Sequence, residues 1–351
     1  MDLERQLAAS IIVPCRNEIG HIETCLKSIL SQDPPAGGFE IVVADGRSAD
    51  GTREFLDRMA REHPQIRVID NPDLITSTAL NAAIRAARAD IIIRMDAHTT
   101  YAPNYVRECL AVLEETGADN VGGPWIAKGY DYTSGAIAAA FQSYFAVGTA
   151  RGHHESYTGP IDTVYLGCWR RAAFDKFGFF DEALVHNQDD EHNLRIIRGE
   201  GKIWLSSRIK SRYSPRGSLR ALFLQYMRYG YWKVSVIRKH GRPGSLRHLV
   251  PGVFMFSLLM LGSISLVCAV SRGHWPFASF LWLPALLLDV AFAGSYGLFL
   301  GAASLITAAK SGWKFLPVLP FVFATYHFGY GWGFLLGLRD LALGRRKIGD
   351  S

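Results

Sequence analysis

The stretch Ala89-Asp90-Ile91-Ile92-Ile93-Arg94-Met95-Asp96-Ala97-His98 constrains the fold more than any other. Ile91, Ile92 and Ile93 are a short β-branched run, the pattern of a strand buried on both faces. Asp96 and His98 follow at i and i+2, a spacing that in an extended segment sets both side chains on one side. A carboxylate oxygen and an imidazole nitrogen so placed suit one divalent ion at the carboxyl edge of a sheet, where open α/β sheets bind ligands. Taken alone, the pair reads equally as a solvated strand end.

The rest of the N-terminal part repeats the pattern. Residues 10–14 make a first apolar strand that runs into Arg16-Asn17-Glu18. A helix follows over 19–31, because Ile22, Leu26, Ile29 and Leu30 share a face. Residues 39–44 are a second strand ending at Asp45-Gly46, and Asp50 is the expected N-cap of a helix that runs to Glu62. A strand over 66–69, an alanine-rich helix over 76–88, the Ile91 strand and a helix opened by Pro103 complete the series. This alternation predicts βαβ units and a mainly parallel sheet. Further strands are expected over 120–125 and 163–167, and a helix with an apolar, aromatic surface over 132–149. Three strand ends are polar: Arg16-Asn17-Glu18, Asp45 and Asp96. No GxGxxG follows the first strand and no GxxxxGK[ST] is present, which argues against a dinucleotide enzyme and a P-loop NTPase. Asp45-Gly46 also reads as an ordinary turn. Farther on, Asn187-Gln188-Asp189-Asp190-Glu191 sets three acids at a helix start, where the helix dipole favours them. Crowded acids also keep one carboxylate available as a general base.

Charge and hydropathy divide the chain. Hydrophobic residues make up 49% and concentrate beyond residue 250. No acidic residue lies between Glu200 and Asp289, while Lys and Arg recur up to Arg272. A basic segment ahead of apolar runs suits an anionic membrane surface on the cytoplasmic side. The apolar runs would have no role on nucleic acid, so a nucleic-acid partner is not expected. Residues 218–248, with Arg220, Phe223, Tyr226, Trp232 and Lys233, are expected as an interfacial helix pair. Runs over 250–270, 277–309 and 315–338 are expected to cross a bilayer. Splitting the longest into two would return Arg339, Arg345, Arg346 and Lys347 to the cytoplasmic side, so four segments are preferred to three. Asp289 and His327 lie within these runs, either as functional groups or as partners of one another. Cys15, Cys25, Cys109, Cys168 and Cys268 are scattered and form no CxxC, as reduced cytosolic thiols would. Residues 1–10 carry charge and no apolar core, so no signal peptide is expected. The expected organisation is a cytoplasmic catalytic domain over 1–217, interfacial helices over 218–248, membrane helices over 249–338 and a basic tail over 339–351.

The ordered motifs are Val13-Pro14-x-x-Asn17-Glu18, Asp45-Gly46-x-Ser48-x-Asp50-Gly51-Thr52, Asp96-x-His98, Gln188-Asp189-x-Glu191 and Gln225-x-x-Arg228-Tyr229. Together they resemble the family-2 inverting glycosyltransferases of GT-A fold. Asp162-Thr163-Val164, residues 187–191 and Tyr229-Gly230-Tyr231-Trp232-Lys233 narrow this to the membrane-bound glucosyltransferases of succinoglycan-type exopolysaccharide assembly. The resemblance spans residues 10–250, and weakens through the apolar tail. It implies that Pro14, Asn17 and Glu18 line a uridine pocket and that Asp45 hydrogen-bonds the uracil. Asp96 would bind the diphosphate through a divalent metal, Mn²⁺ or Mg²⁺, with His98 as a second ligand. Asp189 would be the catalytic base, and Glu191, Gln225 and Arg228 would lie near the diphosphate and acceptor. Three positions depart from the pattern: His98 replaces the second Asp of DxD, Gln188 the usual Glu, and Tyr229 the Trp of QxxRW. The implied activity moves a hexose, glucose by the subgroup, from a UDP-sugar to a lipid-linked saccharide acceptor, a sugar-bearing polyprenyl diphosphate. The implied location is the bacterial cytoplasmic membrane, as a multi-pass protein. A polyprenyl-phosphate sugar transferase and a non-catalytic nucleotide-sugar-binding scaffold are the alternatives.

Overall fold

The computed structural model describes residues 7–148, 151–271, 274 and 276–345, with the backbone alone at 276–279. The chain divides into two units, Met1–Lys128 with Ala150–Ser214, and Gly129–Thr149 with Pro215–Ser351.

In the first unit the order is β1 (Ala9–Cys15), α1 (Ile22–Leu30), β2 (Phe39–Asp45), α2 (Thr52–Glu62), β3 (Ile66–Asp70), α3 (Thr76–Ala86), β4 (Ile91–Arg94), β5 (Thr99–Tyr101), α4 (Tyr105–Thr116) and β6 (Asn120–Gly123). The chain then enters the second unit for α5 (Tyr132–Phe141) and α6 (Tyr144–Val147). It returns for β7 (Gly159–Pro160), β8 (Tyr165–Arg170), α7 (Arg171–Phe177), α8 (Gln188–Arg198), β9 (Ile203–Leu205) and β10 (Ser211–Tyr213).

Eight strands form one sheet in the order β3-β2-β1-β4-β8-β6-β9-β7, and β5 and β10 form a separate ribbon. The strands from β3 to β4 are mutually parallel, and β8 enters antiparallel to both β4 and β6. Alternation along β1 feeds two apolar layers. Ile11 and Val13 pack with Leu26, Ile29 and Leu56 on one face. Ile12 packs with Val42, Leu80 and Ile84 on the other. The isoleucine run of β4 is split in the same way, Ile93 to the first layer and Ile92 to the second.

One feature of the sheet places the site. β1 pairs with β2 from Ala9 to Cys15, but with β4 only from Ser10 to Ile12. Pro14, which has no N–H to donate, lies past that last partner and costs the β4 ladder nothing. The winding also reverses here, since β2 and β3 lie on one side of β1 and β4 on the other. A reversal of strand order opens a crevice at the carboxyl ends of the two strands that flank it.

Several local expectations shift. Gly51, left-handed at φ 94°, caps α2, while Asp50 accepts from Thr52 N at 3.1 Å and Thr52 Oγ1 at 2.6 Å. The strand expected over 163–167 forms instead as β8, because Leu166 (φ 63°) and Gly167 (φ 132°) put an irregularity at its start, opposite the register shift between Val121 and Gly123. The ribbon strands β5 and β10 and the short β7 and β9 have too few residues for a periodicity to reveal.

The second unit is helical: α5, α6, α9 (Leu219–His240), α10 (Val250–Ser271), α11 (Pro276–Ser311) and α12 (Leu319–Ala342). The stretch expected as an interfacial pair is one long helix, α9, followed by a 3₁₀ turn at Leu246–His248. It lies against α12 through glycines. A Cβ on Gly329, Gly333 or Gly337 would stand 2.9, 1.8 or 2.7 Å from the carbonyl oxygens of Phe223, Met227 and Tyr231. The segment α5–α6 belongs here because it is tied to α11 and α12. Tyr326 Oη donates to Ile137 O at 3.3 Å, and His327 Nε2 meets Phe145 O at 2.7 Å. His327 Nδ1 meets Tyr296 Oη at 3.0 Å, so His327 does not pair with Asp289. The expected split of 277–309 is not seen, because α11 is one helix of 36 residues that runs through Pro284. Among the described residues two stretches, Leu246–Ser271 and Phe280–Ser311, are long and apolar enough to cross a membrane. The third expected run forms α12, whose glycine-lined side is buried. Of the expected basic tail, residues 346–351 lie outside the described residues, and α12 continues past 338 to Ala342.

Candidate active site

The loops that follow β1 and β2 are stitched together. Asn17, left-handed at φ 54°, donates from its backbone N to Ser48 Oγ at 2.8 Å, and its Oδ1 accepts from Ala49 N at 2.9 Å. Glu18 N donates to Thr52 Oγ1 at 2.9 Å and Ile19 N to Asp50 Oδ2 at 3.2 Å. The Asp-Gly-x-Ser-x-Asp-Gly-Thr motif thus holds the first loop through Ser48, Asp50 and Thr52. Asp45 is only 1% exposed, and its carboxylate accepts from Ser48 Oγ at 2.6 Å and Ser48 N at 3.3 Å. The carboxylate keeps lone pairs beyond those that Ser48 uses, and Arg53 Nη1 lies 3.7 Å from Asp45 Oδ2. Pro14 is half-buried at the end of β1, and Glu18 is half-buried beyond it.

Across the crevice, the residues after β4 are held from beneath. The backbone N of Asp96 donates to Tyr101 Oη at 2.6 Å, and that hydroxyl lies 3.2 Å from Asp96 O. Both Asp96 oxygens accept from Arg94, Oδ1 from Nε at 2.8 Å and Oδ2 from Nη2 at 2.9 Å. Burial works against the charge on Arg94, but the carboxylates of Asp96 and then Asp189 outweigh it and raise its pKa. His98 sits edge-on to Tyr213, with centroids 5.4 Å apart, and its Nδ1 lies 3.6 Å from Glu18 Oε1. Tyr213 and Tyr165 both meet Trp125, whose ring stacks on Tyr165 at 4.6 Å and 3°, and Tyr165 Oη bonds Thr99 Oγ1 at 2.7 Å. An aromatic layer therefore supports the segment that carries Asp96 and His98.

Asp189 comes from the first turn of α8. Asn187, left-handed at φ 62°, turns the chain into the helix. Asp189 Oδ1 accepts from Asp190 N at 2.8 Å, and Oδ2 lies 3.9 Å from Arg94 Nη1. Asp96, Arg94 and Asp189 are thus brought together. Glu191 is placed elsewhere. It is wholly buried, bonded to Arg195 Nε at 2.9 and 3.1 Å, and Arg195 in turn donates to the carbonyls of Phe177 and Phe179. The residue faces the core, because its position in the helix is on the side that packs rather than the side that opens. Beside it His192 bonds Gly178 O at 3.0 Å, and burial, with Arg195 nearby, pushes its pKa down to about 4. Gln225 and Arg228 belong to the second unit, on α9, where Gln225 Nε2 donates to Tyr229 Oη at 3.0 Å and Arg228 is exposed. All five cysteines are free, and burial raises the thiols of Cys15 and Cys25, so neither is a ready nucleophile.

Arg94 escaped the sequence reading. Its signal was there, since a charged residue that ends a run of buried isoleucines must have a partner nearby. The aromatic layer had no comparable signal, because Trp125, Tyr165 and Tyr213 come from three separated segments.

Residues 10–178 match the glycosyl transferase family 2 model. The succinoglycan biosynthesis protein ExoA of Rhizobium meliloti is 33% identical over 76% of this chain and 82% of that protein. The chain is a family-2 glycosyltransferase. A second relative of this glycosyltransferase, from Methanococcus voltae, is 26% identical over 94% of the chain and 96% of its own length. That relative is a dolichyl N-acetyl-α-D-glucosaminyl phosphate 3-β-D-2,3-diacetamido-2,3-dideoxy-β-D-glucuronosyltransferase. The fold matches the mannosyltransferase PcManGT of Pyrobaculum calidifontis, solved with GDP-Man and Mn²⁺, at a TM-score of 0.55 and 20% identity over 88% of this chain and 87% of that one. The glycosyltransferase therefore has the GT-A fold.

The residues at the crevice bear on a metal. Among the described residues no three His, Cys, Asp or Glu side chains converge as ligands. What the crevice offers is one carboxylate, already gripped along both oxygens by Arg94, and the His98 imidazole. These fit a cation shared with a diphosphate, which would have to supply most of the ligands, and they do not fit a cage made by protein alone.

Proposed function

We propose that this glycosyltransferase moves a hexose, glucose by its sequence subgroup, from a UDP-sugar to a polyprenyl-diphosphate-linked saccharide in exopolysaccharide assembly, with inversion at the anomeric carbon. The approach of Asp189 to Arg94, and through it to Asp96, carries this reading: a carboxylate suited to act as base stands 3.9 Å from the guanidinium that grips a carboxylate suited to the diphosphate. Asp189 takes the proton from an acceptor hydroxyl as its oxygen attacks the anomeric carbon, and the nucleoside diphosphate leaves from the opposite face. One displacement of this kind turns an α-linked donor into a β-linked product. The stitched loops after β1 and β2, with Pro14, Asn17, Glu18 and Asp45, hold the uridine. Asp96 and His98 would hold a divalent metal, which when bound neutralises charge on the departing diphosphate, and an imidazole ligand favours Mn²⁺ over Mg²⁺. Gln225 and Arg228 are assigned to the diphosphate and acceptor.

A lipid-linked acceptor is supported by the dolichyl-phosphate-linked acceptor in the name of the Methanococcus relative, and by two helices able to cross a membrane. The proposed setting is the bacterial cytoplasmic membrane, with the catalytic unit in the cytoplasm. The test is incubation of membranes that contain the full chain with labelled UDP-sugars and Mn²⁺ or Mg²⁺, followed by lipid extraction. Label is expected on a lipid that already bears sugar, and Asp189→Asn is expected to lower transfer by about a hundredfold or more. Label on polyprenyl phosphate itself, independent of Asp189, would point to a polyprenyl-phosphate transferase. UDP binding with no transfer from any donor would point to a scaffold.

A further inference from the structure

Arg94 has more to offer than its bond to Asp96. Its side chain is 6% exposed, and two of its nitrogens are spent on the Asp96 carboxylate. The third, Nη1, is buried and has no hydrogen-bond partner among the described residues. A charged N–H left without an acceptor in the interior forfeits more than an ordinary hydrogen bond is worth, so native structures rarely leave one without a reason. The nearby anion is Asp189 Oδ2 at 3.9 Å, about 1 Å beyond a charge-assisted hydrogen bond. Asp189 has its other oxygen fixed by Asp190 N, and its side chain is 38% exposed, so it can rotate by the small amount required.

We propose that Arg94 is a positioning residue that serves both carboxylates of the site. Its bidentate grip fixes the plane of Asp96. Its remaining N–H closes onto Asp189 Oδ2 when substrates fill the crevice, and so sets the direction in which the base presents its free electron pair. The planar fork is what permits this, since one rigid group spans two anions on separate segments, the loop after β4 and the start of α8. A lysine would carry the charge and lose the geometry. The inference rests on the reading of Asp189 as base.

The test uses the purified full chain in detergent, with UDP affinity by calorimetry, melting temperature, and transfer kinetics. Arg94→Lys is expected to lower kcat about tenfold to a hundredfold, the loss typical of a displaced catalytic group, with any weakening of UDP binding or rise in donor KM, through the loosened Asp96, smaller than that. In the Asp189→Asn background the same change is expected to cost nothing further in kcat, because residues that act as a unit are not additive. An unchanged kcat in Arg94→Lys, or a loss that multiplies with that of Asp189→Asn, overturns the proposal. Full transfer by Asp189→Asn alone would instead overturn the assignment of the base. Should Arg94→Lys fail to fold, Asp189→Ala with the native Arg94 decides. Removing the acceptor intended for Nη1 is expected to shrink the rise in melting temperature that saturating UDP-glucose gives the parent, and a rise equal to or above the parent's overturns the proposal.

Discussion

Replacing Gly333 with alanine probes the contact between α9 and α12. The added Cβ would lie 1.8 Å from Met227 O and 2.6 Å from its carbonyl carbon. Non-bonded heavy atoms settle at about 3.5 Å, so the helices must part by roughly 1.5 Å. The obstacle is backbone, which cannot swing away as a long side chain would. Parting also loosens Gly329 against Phe223 and Gly337 against Tyr231, which sit at 2.9 and 2.7 Å on the same measure. Overpacking of this kind costs about 3 kcal/mol, at the upper end of what such insertions cost. Alanine returns about 1 kcal/mol as the better helix former. The net loss is roughly 2 kcal/mol, or roughly 4–8 °C in melting temperature for a unit of this size. Thermal unfolding of the detergent-purified chain by tryptophan fluorescence reads it. Gly301→Ala is the control, because a Cβ there meets nothing within 4 Å, and it should leave the melting temperature unchanged or raise it slightly. If Gly333→Ala melts at or above the parent temperature, the close approach of these helices is wrong.

Three further outcomes follow from the first unit. Ser48→Ala removes the hydroxyl that joins Asn17 N to Asp45, so the donor KM should rise roughly fivefold for a bond worth about 1 kcal/mol, with kcat nearly unchanged; a fall in kcat alone would contradict this. Arg195→Ala removes the guanidinium that pairs with the buried Glu191 carboxylate, and denaturant unfolding should show a loss of about 3–5 kcal/mol; a loss below 1 kcal/mol, on the order of a surface pair, would refute the burial. His192 favours its neutral form when folded, its pKa pushed from 6.5 to about 4, so its contribution is whole above pH 6.5 and is lost as pH falls through 4. Stability lost between pH 7 and 4 should therefore be greater in the parent than in His192→Phe, by about 3 kcal/mol. Equal losses in the two proteins would refute it.

Much of the first unit was legible because each strand from β1 to β4 is a run of apolar residues closed by a polar one. That pattern reports burial and strand end at once. Asp45, Asp96 and Asp189 stood out as candidates for the same reason, since each lies at or just past a strand end or at a helix start. Arg94 was passed over because the isoleucines before it dominate the reading of the strand. Glu191 was grouped with Asp189 because sequence shows neighbours and hides the helical rotation that turns one inward and the other out. The single helix α11 was expected as two because charge placement was set against length, and hydropathy alone cannot show that a helix runs on through Pro284. The stretch that holds α5 and α6 looked like part of the catalytic domain. Its bonds to α11 and α12 come from residues more than 150 positions away, beyond the reach of any local pattern.

The inward turn of Glu191 also changes how chains of this kind should be sorted. Gln188-Asp189-x-Glu191 looks like one motif, yet its two acids answer to different pressures. Glu191 secures α8 to the carbonyls of Phe177 and Phe179 through Arg195, a role in holding the fold that does not depend on turnover. With Asp189 as the proposed base, position 189 is the one that carries information about competence. A homologue with Asn at that position and an intact Glu–Arg pair would be expected to fold and bind nucleotide as an inactive paralogue, and a motif score that counts both acids would misfile it as an enzyme.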